Sequence, residues 1–243
     1  MAYCDGFSEL SLAEVIETAH HCRIPVIVDA AASLPPKANL TRFIEAGADL
    51  VIYSGGKGIR GPQSSGILCG RRELIASAAL QCWDLDCLAE LWDPPAEWIE
   101  SSFVAGGVPN HGIGRGLKVG KEEIVGLWTA LERFNQLDEV ELGRRLRAIA
   151  AQIADGLSGI STLEVKLSES NKPWPRVELK TSGGDAGKQS AIGLARQLAD
   201  GDPSIQLGQG FARSCLLHID PFCLRPGDPE EIIARIRRLV GTH

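Results

Sequence analysis

The sequence lacks the marks of membrane and exported proteins. No apolar run approaches the roughly 20 residues that a membrane-spanning helix needs, so we expect no membrane anchor. Residues 1–5 carry neither the basic nor the apolar region of a signal peptide. We therefore expect a cytoplasmic protein.

Clustered basic residues and paired cysteines are also missing. The chain has 25 Lys and Arg residues against 31 Asp and Glu residues, a formal net charge of -6, whereas nucleic-acid binding depends on clustered Lys and Arg. A direct RNA or DNA partner is therefore not expected. The seven cysteines are scattered, odd in number and never at C-x-x-C spacing, which predicts free thiols and neither a disulfide framework nor a zinc site.

The first part of the chain alternates helical and strand patterns. Apolar spacing predicts a helix over 11–22, with Ser8 or Ser11 as its cap. The apolar runs at 26–29 and 49–54 are typical of parallel strands buried on both faces, and 66–70 predicts a third strand. Further helices are predicted over 39–46 and 72–80. This alternation indicates an α/β layered sheet.

The second part of the chain has a different pattern. Residues 121–157 are strongly helical, and period-two strands, a further strand and two helices follow them. We predict a partial large domain over 1–120, linking helices over 121–157 and a small α+β domain over 158–243. Three strands leave the edge and faces of a sheet uncovered, so we expect a preceding segment or a partner chain to cover them.

Two chemically useful groups end neighbouring predicted strands. Asp29 ends one strand, and the sequence Ser-Gly-Gly-Lys at 54–57 ends the next. Ligands of open α/β sheets bind at the carboxyl ends of strands, so both groups should open onto one crevice. Pyridoxal phosphate (PLP) needs a lysine amine and a carboxylate beside its ring nitrogen, which Lys57 and Asp29 would supply. From the residues alone, a helix-capping Asp29 and a solvated Lys57 remain open as the ordinary alternatives.

Four stretches resemble one known family. They are VDAA at 28–31, ADLV at 48–51, SGGKGIRGPQSSGIL at 54–68 and GRGLKVGKEE at 114–123. Together they resemble the bacterial selenocysteine-synthase-like family of fold-type-I PLP enzymes. The SGGK form is more similar to the D-glucosaminate-6-phosphate ammonia-lyase branch than to seryl-tRNA(Sec) selenium transferases. The likeness runs from about residue 8 to the end.

The resemblance implies a fold, a cofactor and a set of cofactor-binding residues. The fold is a fold-type-I PLP-dependent transferase large domain, incomplete at its N-terminus, with a small C-terminal α+β domain. Lys57 would carry PLP as a Schiff base and act as a catalytic proton shuttle. Asp29 would pair with the ring nitrogen, and Ser54 would contact the phosphate. Arg60 would reach the phosphate or a partner subunit.

The resemblance also implies substrate-binding residues. Arg115 and Lys118 match the family's basic pair, which would hold an anionic substrate group or a phosphate. Both could instead belong to the start of the following helix, although cations are unfavourable there. His111 is a candidate catalytic acid or base, with an ordinary loop histidine as the alternative.

The implied activity is that of a PLP-dependent lyase or transferase. A small-molecule amino substrate, an amino acid or amino sugar acid, would lose a proton from Cα and then eliminate a β-group. The alternatives are selenium transfer onto seryl-tRNA(Sec) and a truncated, non-catalytic partner of a full-length paralogue. Family members carry a long segment ahead of the position of Met1, with the phosphate cradle and the residue that stacks on the ring. We therefore expect a homo-oligomer or a missing N-terminal segment to complete the site.

Overall fold

The computed structural model describes residues 1–6, 8–100, 107–169, 172–182 and 184–240. It divides into two compact units, Met1–Leu137 and Asp138–His243. The boundary falls within the predicted linking segment 121–157, so that its first helix belongs to unit 1 and its second to unit 2. The three-part division stays a prediction.

Unit 1 contains a four-stranded sheet in which one strand is reversed. Its order is β1 (Ala2–Cys4), β2 (Ile27–Asp29), β3 (Leu50–Ser54) and β4 (Gly66–Gly70). The first three strands are parallel, and β4 runs antiparallel to β3. β1 was not predicted, whereas the prediction of 66–70 as a strand is confirmed, and its antiparallel direction is an addition from the structure. Only a loop joins β3 to β4, whereas a parallel return needs a crossover, usually a helix, of a dozen or more residues.

The helices of unit 1 begin and end close to their predicted limits. They are α1 (Leu12–His21), α2 (Asn39–Glu45), α3 (Arg72–Cys82) and α4 (Lys121–Asn135). Of the two candidate caps for α1, Ser11 is the one used. Its side chain accepts the N–H of Glu14, whose carboxylate accepts the N–H of Ser11 at 2.8 Å. This capping box fixes the start of the helix.

One face of the unit 1 sheet forms the core, and the other face has exposed apolar residues. Val28, Val51 and Tyr53 point into the core, which also contains Phe43 and Phe134. Side chains alternate along a strand, so the residues between them point the other way. On that open face, Ile27, Ile52 and Leu68 are 36%, 40% and 38% exposed. Within unit 1, β2 and β3 are therefore covered on one face only, and cover of the other face by a preceding segment or a partner chain stays a prediction.

A buried carboxylate joins several elements at the amino ends of the strands. Asp49 Oδ2 accepts the N–H of Val26 at 2.7 Å and lies 2.9 Å from Nε2 of His20, and Oδ1 accepts from Arg71 at 2.8 Å. Burial by itself raises the pKa of Asp49, but these bonds outweigh burial and lower the pKa to about 2. Asp49 thus ties α1 and the ends of β2 and β4 to the start of β3.

Unit 2 is the α+β arrangement that the sequence predicts. Its elements are α5 (Glu139–Leu157), β5 (Leu163–Ser168), β6 (Arg176–Thr181), α6 (Gly184–Ala199), β7 (Leu216–Ile219) and α7 (Asp228–Val240). The strands form an antiparallel sheet in the order β5-β6-β7. Its core includes Ile153, Leu179, Leu198, Leu217 and Ile236.

The start of α5 has a clear cause in the sequence. Asp138 Oδ1 accepts the N–H groups of Val140 and Glu141, both at 3.0 Å, which satisfies donors that the first turn of a helix leaves free.

In the described part of the chain, no helix has the length and apolar character needed to cross a membrane.

Candidate functional site

Asp29 and the Lys57 loop lie at the same edge of the unit 1 sheet. Asp29 is the last residue of β2 and Ser54 the last residue of β3. The two strands are parallel neighbours, with Asp29 opposite Ile52, and the N–H of Ala30 donates to the carbonyl of Ile52 at 3.0 Å. The carboxyl ends of both strands therefore present their polar groups together, because β2 and β3 run in the same direction.

Backbone hydrogen bonds close the Lys57 loop. The N–H of Gly55 donates to Ser65 O at 2.9 Å, and the N–H of Gly61 donates to Gly55 O at 2.7 Å. A tight turn links the N–H of Arg60 to Lys57 O at 2.9 Å. Within this frame the Lys57 side chain is exposed and has no hydrogen-bond or ion-pair partner among the described residues. Its amine is therefore open to reaction.

Two glycines of this loop cannot be replaced without moving backbone. A Cβ on Gly58 would lie 2.2 Å from the carbonyl oxygen of Leu34. A Cβ on Gly56 would lie 2.7 Å from the Cα of Gln63. Both distances are far below any real carbon contact, so the path of the loop around Lys57 depends on glycine.

The other predicted cofactor residues occupy ordinary local positions. Asp29 is exposed, and its Oδ1 accepts the N–H of Ala31 at 3.0 Å, which leaves Oδ2 for a cation. Ser54 is half-buried and pairs with Gly66 across the sheet. Arg60 is exposed and has a left-handed backbone, with φ of +61°. The amine and carboxylate at this edge fit the aldehyde and ring-nitrogen ends of PLP.

Sequence analysis did not identify Asp5, which supports this edge. Asp5 follows β1, and its N–H donates to Asp29 O at 3.1 Å. Its carboxylate accepts from Ser33 Oγ at 2.6 Å and from Arg42 at 3.1 Å. The only signal for Asp5 is its position after β1, a three-residue strand too short to show a pattern.

The remaining predicted residues form a second cluster beside the end of α3. The loop at 109–118 contains His111 and Lys118, and a single 3₁₀ turn, Arg115–Leu117, lies within it. The N–H of His111 donates to Asp84 Oδ1 at 2.9 Å, and Arg115 Nε lies 2.5 Å from Asp84 Oδ2. Asp84 was also not predicted, because it lies in a stretch of weak periodicity.

The charges of this second cluster influence one another. The hydrogen bond from the His111 N–H, together with the positive charges of Arg115 and Lys118, holds the pKa of Asp84 below its usual range. Asp84 is therefore ionised at neutral pH. Two cations and one carboxylate leave this loop positive, which favours an anionic ligand.

Helix α4 connects the two clusters within unit 1. It begins at Lys121, three residues after Lys118, and packs on the Lys57 loop. A Cβ on Gly61 would lie 3.2 Å from the Cβ of Ala130, which shows how closely the helix approaches that loop.

Comparison with known proteins gave relatives but no matching family model. The chain is 31% identical over 236 residues to a 5'-C-glycyluridine monooxygenase-decarboxylase of a Streptomyces species, covering 96% of this chain and 50% of that protein. It is 27% identical over 242 residues to the D-glucosaminate-6-phosphate ammonia lyase of Salmonella typhimurium, covering 98% and 54%. The chain thus spans about half the length of these curated relatives.

A shorter match and a solved structure agree with these relatives. Over 82 residues the chain is 38% identical to the L-seryl-tRNA(Sec) selenium transferase of Solidesulfovibrio magneticus, covering 30% of this chain and 17% of that protein. A solved structure of D-glucosaminate-6-phosphate ammonia-lyase matches 99% of this chain and 57% of its own, with 25% identity and a TM-score of 0.63. Over the part of these relatives that it spans, the chain is similar to the selenocysteine-synthase-like family of fold-type-I PLP enzymes.

Proposed function

We propose that this chain forms part of a PLP-dependent enzyme that acts on an amino acid or amino sugar acid by lyase-type β-elimination. The observation that carries the proposal is the exposed amine of Lys57, which has no partner among the residues that the structure describes and lies in a closed glycine loop next to the strand that ends at Asp29. The ammonia lyase among the relatives is named for an amino sugar acid phosphate, which supports the substrate class.

Each residue at this edge has a separate task in the proposed reaction. Lys57 would hold the cofactor through its amine and would move the proton at the substrate Cα. Asp29 pairs with the protonated ring nitrogen. Ser54 and Arg60 are assigned to the cofactor phosphate. When bound, PLP supplies the electron sink that makes the Cα proton removable.

The second cluster would bind the anionic part of the substrate. Arg115 offers planar donors that suit a phosphate or carboxylate, and Lys118 adds a point charge. His111 lies in the same loop, held by its backbone, and stays our candidate for a further acid or base. A homo-oligomer, or polypeptide equivalent to the rest of the relatives' length, would complete the site. A cytoplasmic location stays a prediction.

Covalent trapping of the cofactor tests this proposal. The chain is incubated with PLP, reduced with borohydride, digested and mapped by mass spectrometry. We expect the reduced adduct on Lys57 and its loss in Lys57→Ala, because no other lysine is assigned to the cofactor. Lys121→Ala, which changes a lysine at the start of α4, serves as the control and should keep the adduct. An adduct on Lys118 or Lys121 would contradict the assignment.

Two other functions remain distinguishable by experiment. Selenium transfer to seryl-tRNA has a matching relative over 82 residues, but the acidic net charge gives it no electrostatic support. A non-catalytic partner of a full-length paralogue would fold but form no adduct on Lys57 alone, and the adduct would then appear only with the paralogue present.

A further inference from the structure

Asp84 connects two residues of the loop at 109–118 through different oxygens. Oδ1 accepts the backbone N–H of His111 at 2.9 Å, and Oδ2 lies 2.5 Å from Nε of Arg115. The Asp84 side chain is only 14% exposed, whereas that of Arg115 is 59% exposed. A carboxylate that is mostly buried therefore contacts a guanidinium that is mostly exposed.

The loop is docked on the end of α3 rather than loosely attached to it. The N–H of Gly114 donates to Gln81 O at 2.8 Å, and the N–H of Leu85 donates to Pro109 O at 2.9 Å. A Cβ on Gly112 would lie 2.3 Å from the carbonyl oxygen of Gln81. This contact is possible only with glycine, so Asp84 and the loop hold a defined relative position.

We propose that Asp84 is a positioning residue that orients Arg115 to bind an anionic group of the substrate. The guanidinium is a planar fork with five donors, and its closest contact with Asp84 is through Nε. When the guanidinium contacts Asp84 through Nε, its terminal amino groups remain available to donate hydrogen bonds to an anion. The inference rests on the proposed anion-binding role of Arg115, and it adds a residue that acts through Arg115 and not on the substrate.

The two possible effects of Asp84 on anion binding have opposite signs. A carboxylate near an anion repels it, so simple charge would make removal of Asp84 tighten binding. A carboxylate that already holds a long, exposed arginine in place reduces the side-chain entropy that the arginine loses when the anion binds. Removal of the carboxylate should therefore weaken anion binding. The exposure of Arg115 favours the second effect, because water and salt screen the repulsion between Asp84 and an anion bound on the solvent side of the guanidinium.

The experiment measures inorganic phosphate binding to the full chain by calorimetry at fixed ionic strength. Asp84→Asn keeps an oxygen for the His111 N–H but loses the carboxylate that holds Arg115. We expect phosphate to bind about three- to tenfold more weakly, although the variant is less negative. Asp86→Asn makes the same charge change two residues away, at an exposed position, and should bind phosphate as the parent does or slightly more tightly.

Two further variants separate positioning from folding. In an Arg115→Lys background, which keeps a cation but has no Nε, Asp84→Asn should have no effect on phosphate affinity, as a double-mutant cycle requires of residues that act together. Asp84→Ala also loses the bond to His111. It should therefore lower the thermal midpoint more than Asp84→Asn does, while the affinity falls equally in both.

The outcomes are distinguishable. Phosphate binding that depends on Arg115 but is unchanged or tightened by Asp84→Asn overturns the role of Asp84 and leaves the proposed anion site standing. The same conclusion follows if Asp84→Asn weakens binding equally in the Arg115→Lys background. A parent chain that does not bind phosphate, or binds it independently of Arg115, overturns the anion site and with it this inference.

Discussion

Asp49 is a buried carboxylate with three partners, and its titration should control the stability of unit 1. Its folded pKa of about 2 is below the value of 3.8 for a free side chain. A lowered pKa stabilises the fold at pH values above 3.8, and this contribution is lost as the pH falls towards 2. The shift corresponds to about 2 kcal/mol of the free energy of unfolding.

We expect Asp49→Asn to lower the free energy of unfolding by about 2 kcal/mol at pH 7, because Arg71 and His20 lose their charged partner. The difference from the parent should shrink as the pH falls from 4 towards 2. Urea denaturation at several pH values measures both effects. Glu45→Gln, an exposed charge change on α2, is the control, and a pH-independent difference for Asp49→Asn would contradict the assignment.

Among single residues, sequence analysis identified the site residues that belong to a motif and missed those whose role depends on contacts with distant residues. Asp29 ends one apolar strand and Lys57 follows the end of the next, and a strand end can be recognised from sequence. Asp5 and Asp84 act through partners that lie 24 to 37 residues away, at Asp29, Ser33, Arg42, His111 and Arg115. Nothing in a local pattern indicates which distant residue a carboxylate will meet.

The boundary between α4 and α5 depends on one capping residue. Asp138 receives two backbone N–H groups of the first turn of α5. Asp138→Ala should lower the free energy of unfolding of unit 2 by about 1 kcal/mol, because both donors lose their partner. Asp138→Ser keeps a capping oxygen and should stay within a few tenths of a kcal/mol of the parent. Chemical denaturation of the three proteins checks the order, and equal losses in both variants would refute the capping role.

The periodic elements were predictable, and their directions were less so. Helices α1 to α3 follow apolar spacing, and the strands of unit 2 follow clear alternation. The reversal of β4 had an indirect signal, since residues 55–65 are too rich in glycine to form a crossover helix. Burial of the sheet faces could not be predicted, because strands with one covered face and strands with two can share the same apolar run.

The open face of the unit 1 sheet predicts that the whole molecule self-associates. Ile27, Ile52 and Leu68 form an apolar surface that we propose is buried on association. Ile52→Thr keeps a β-branched side chain and should reduce self-association with little change in stability. Light scattering over a range of concentrations measures the effect. A parent chain that stays monomeric at all concentrations would contradict the proposal.

The adjacent residue provides a matched control. Val51 points into the core from the same strand and is fully buried. Val51→Thr places a hydroxyl in that core, so it should lower the free energy of unfolding by about 1–3 kcal/mol. If Ile52→Thr were as destabilising as Val51→Thr, the two faces of the sheet would not differ as the structure shows.

The closed loop between β3 and β4 restricts the backbone conformation of Lys57 already in the folded protein. Pairing of Ser54 with Gly66 and the bonds of Gly55 and Gly61 fix both ends of the loop as the sheet forms. The backbone of Lys57 therefore loses its conformational entropy when the protein folds and not when a ligand binds. Only the rotations of the side chain remain to be restricted on binding. The conformational entropy that Lys57 loses on binding should then come from its side chain alone, as in other preorganised sites.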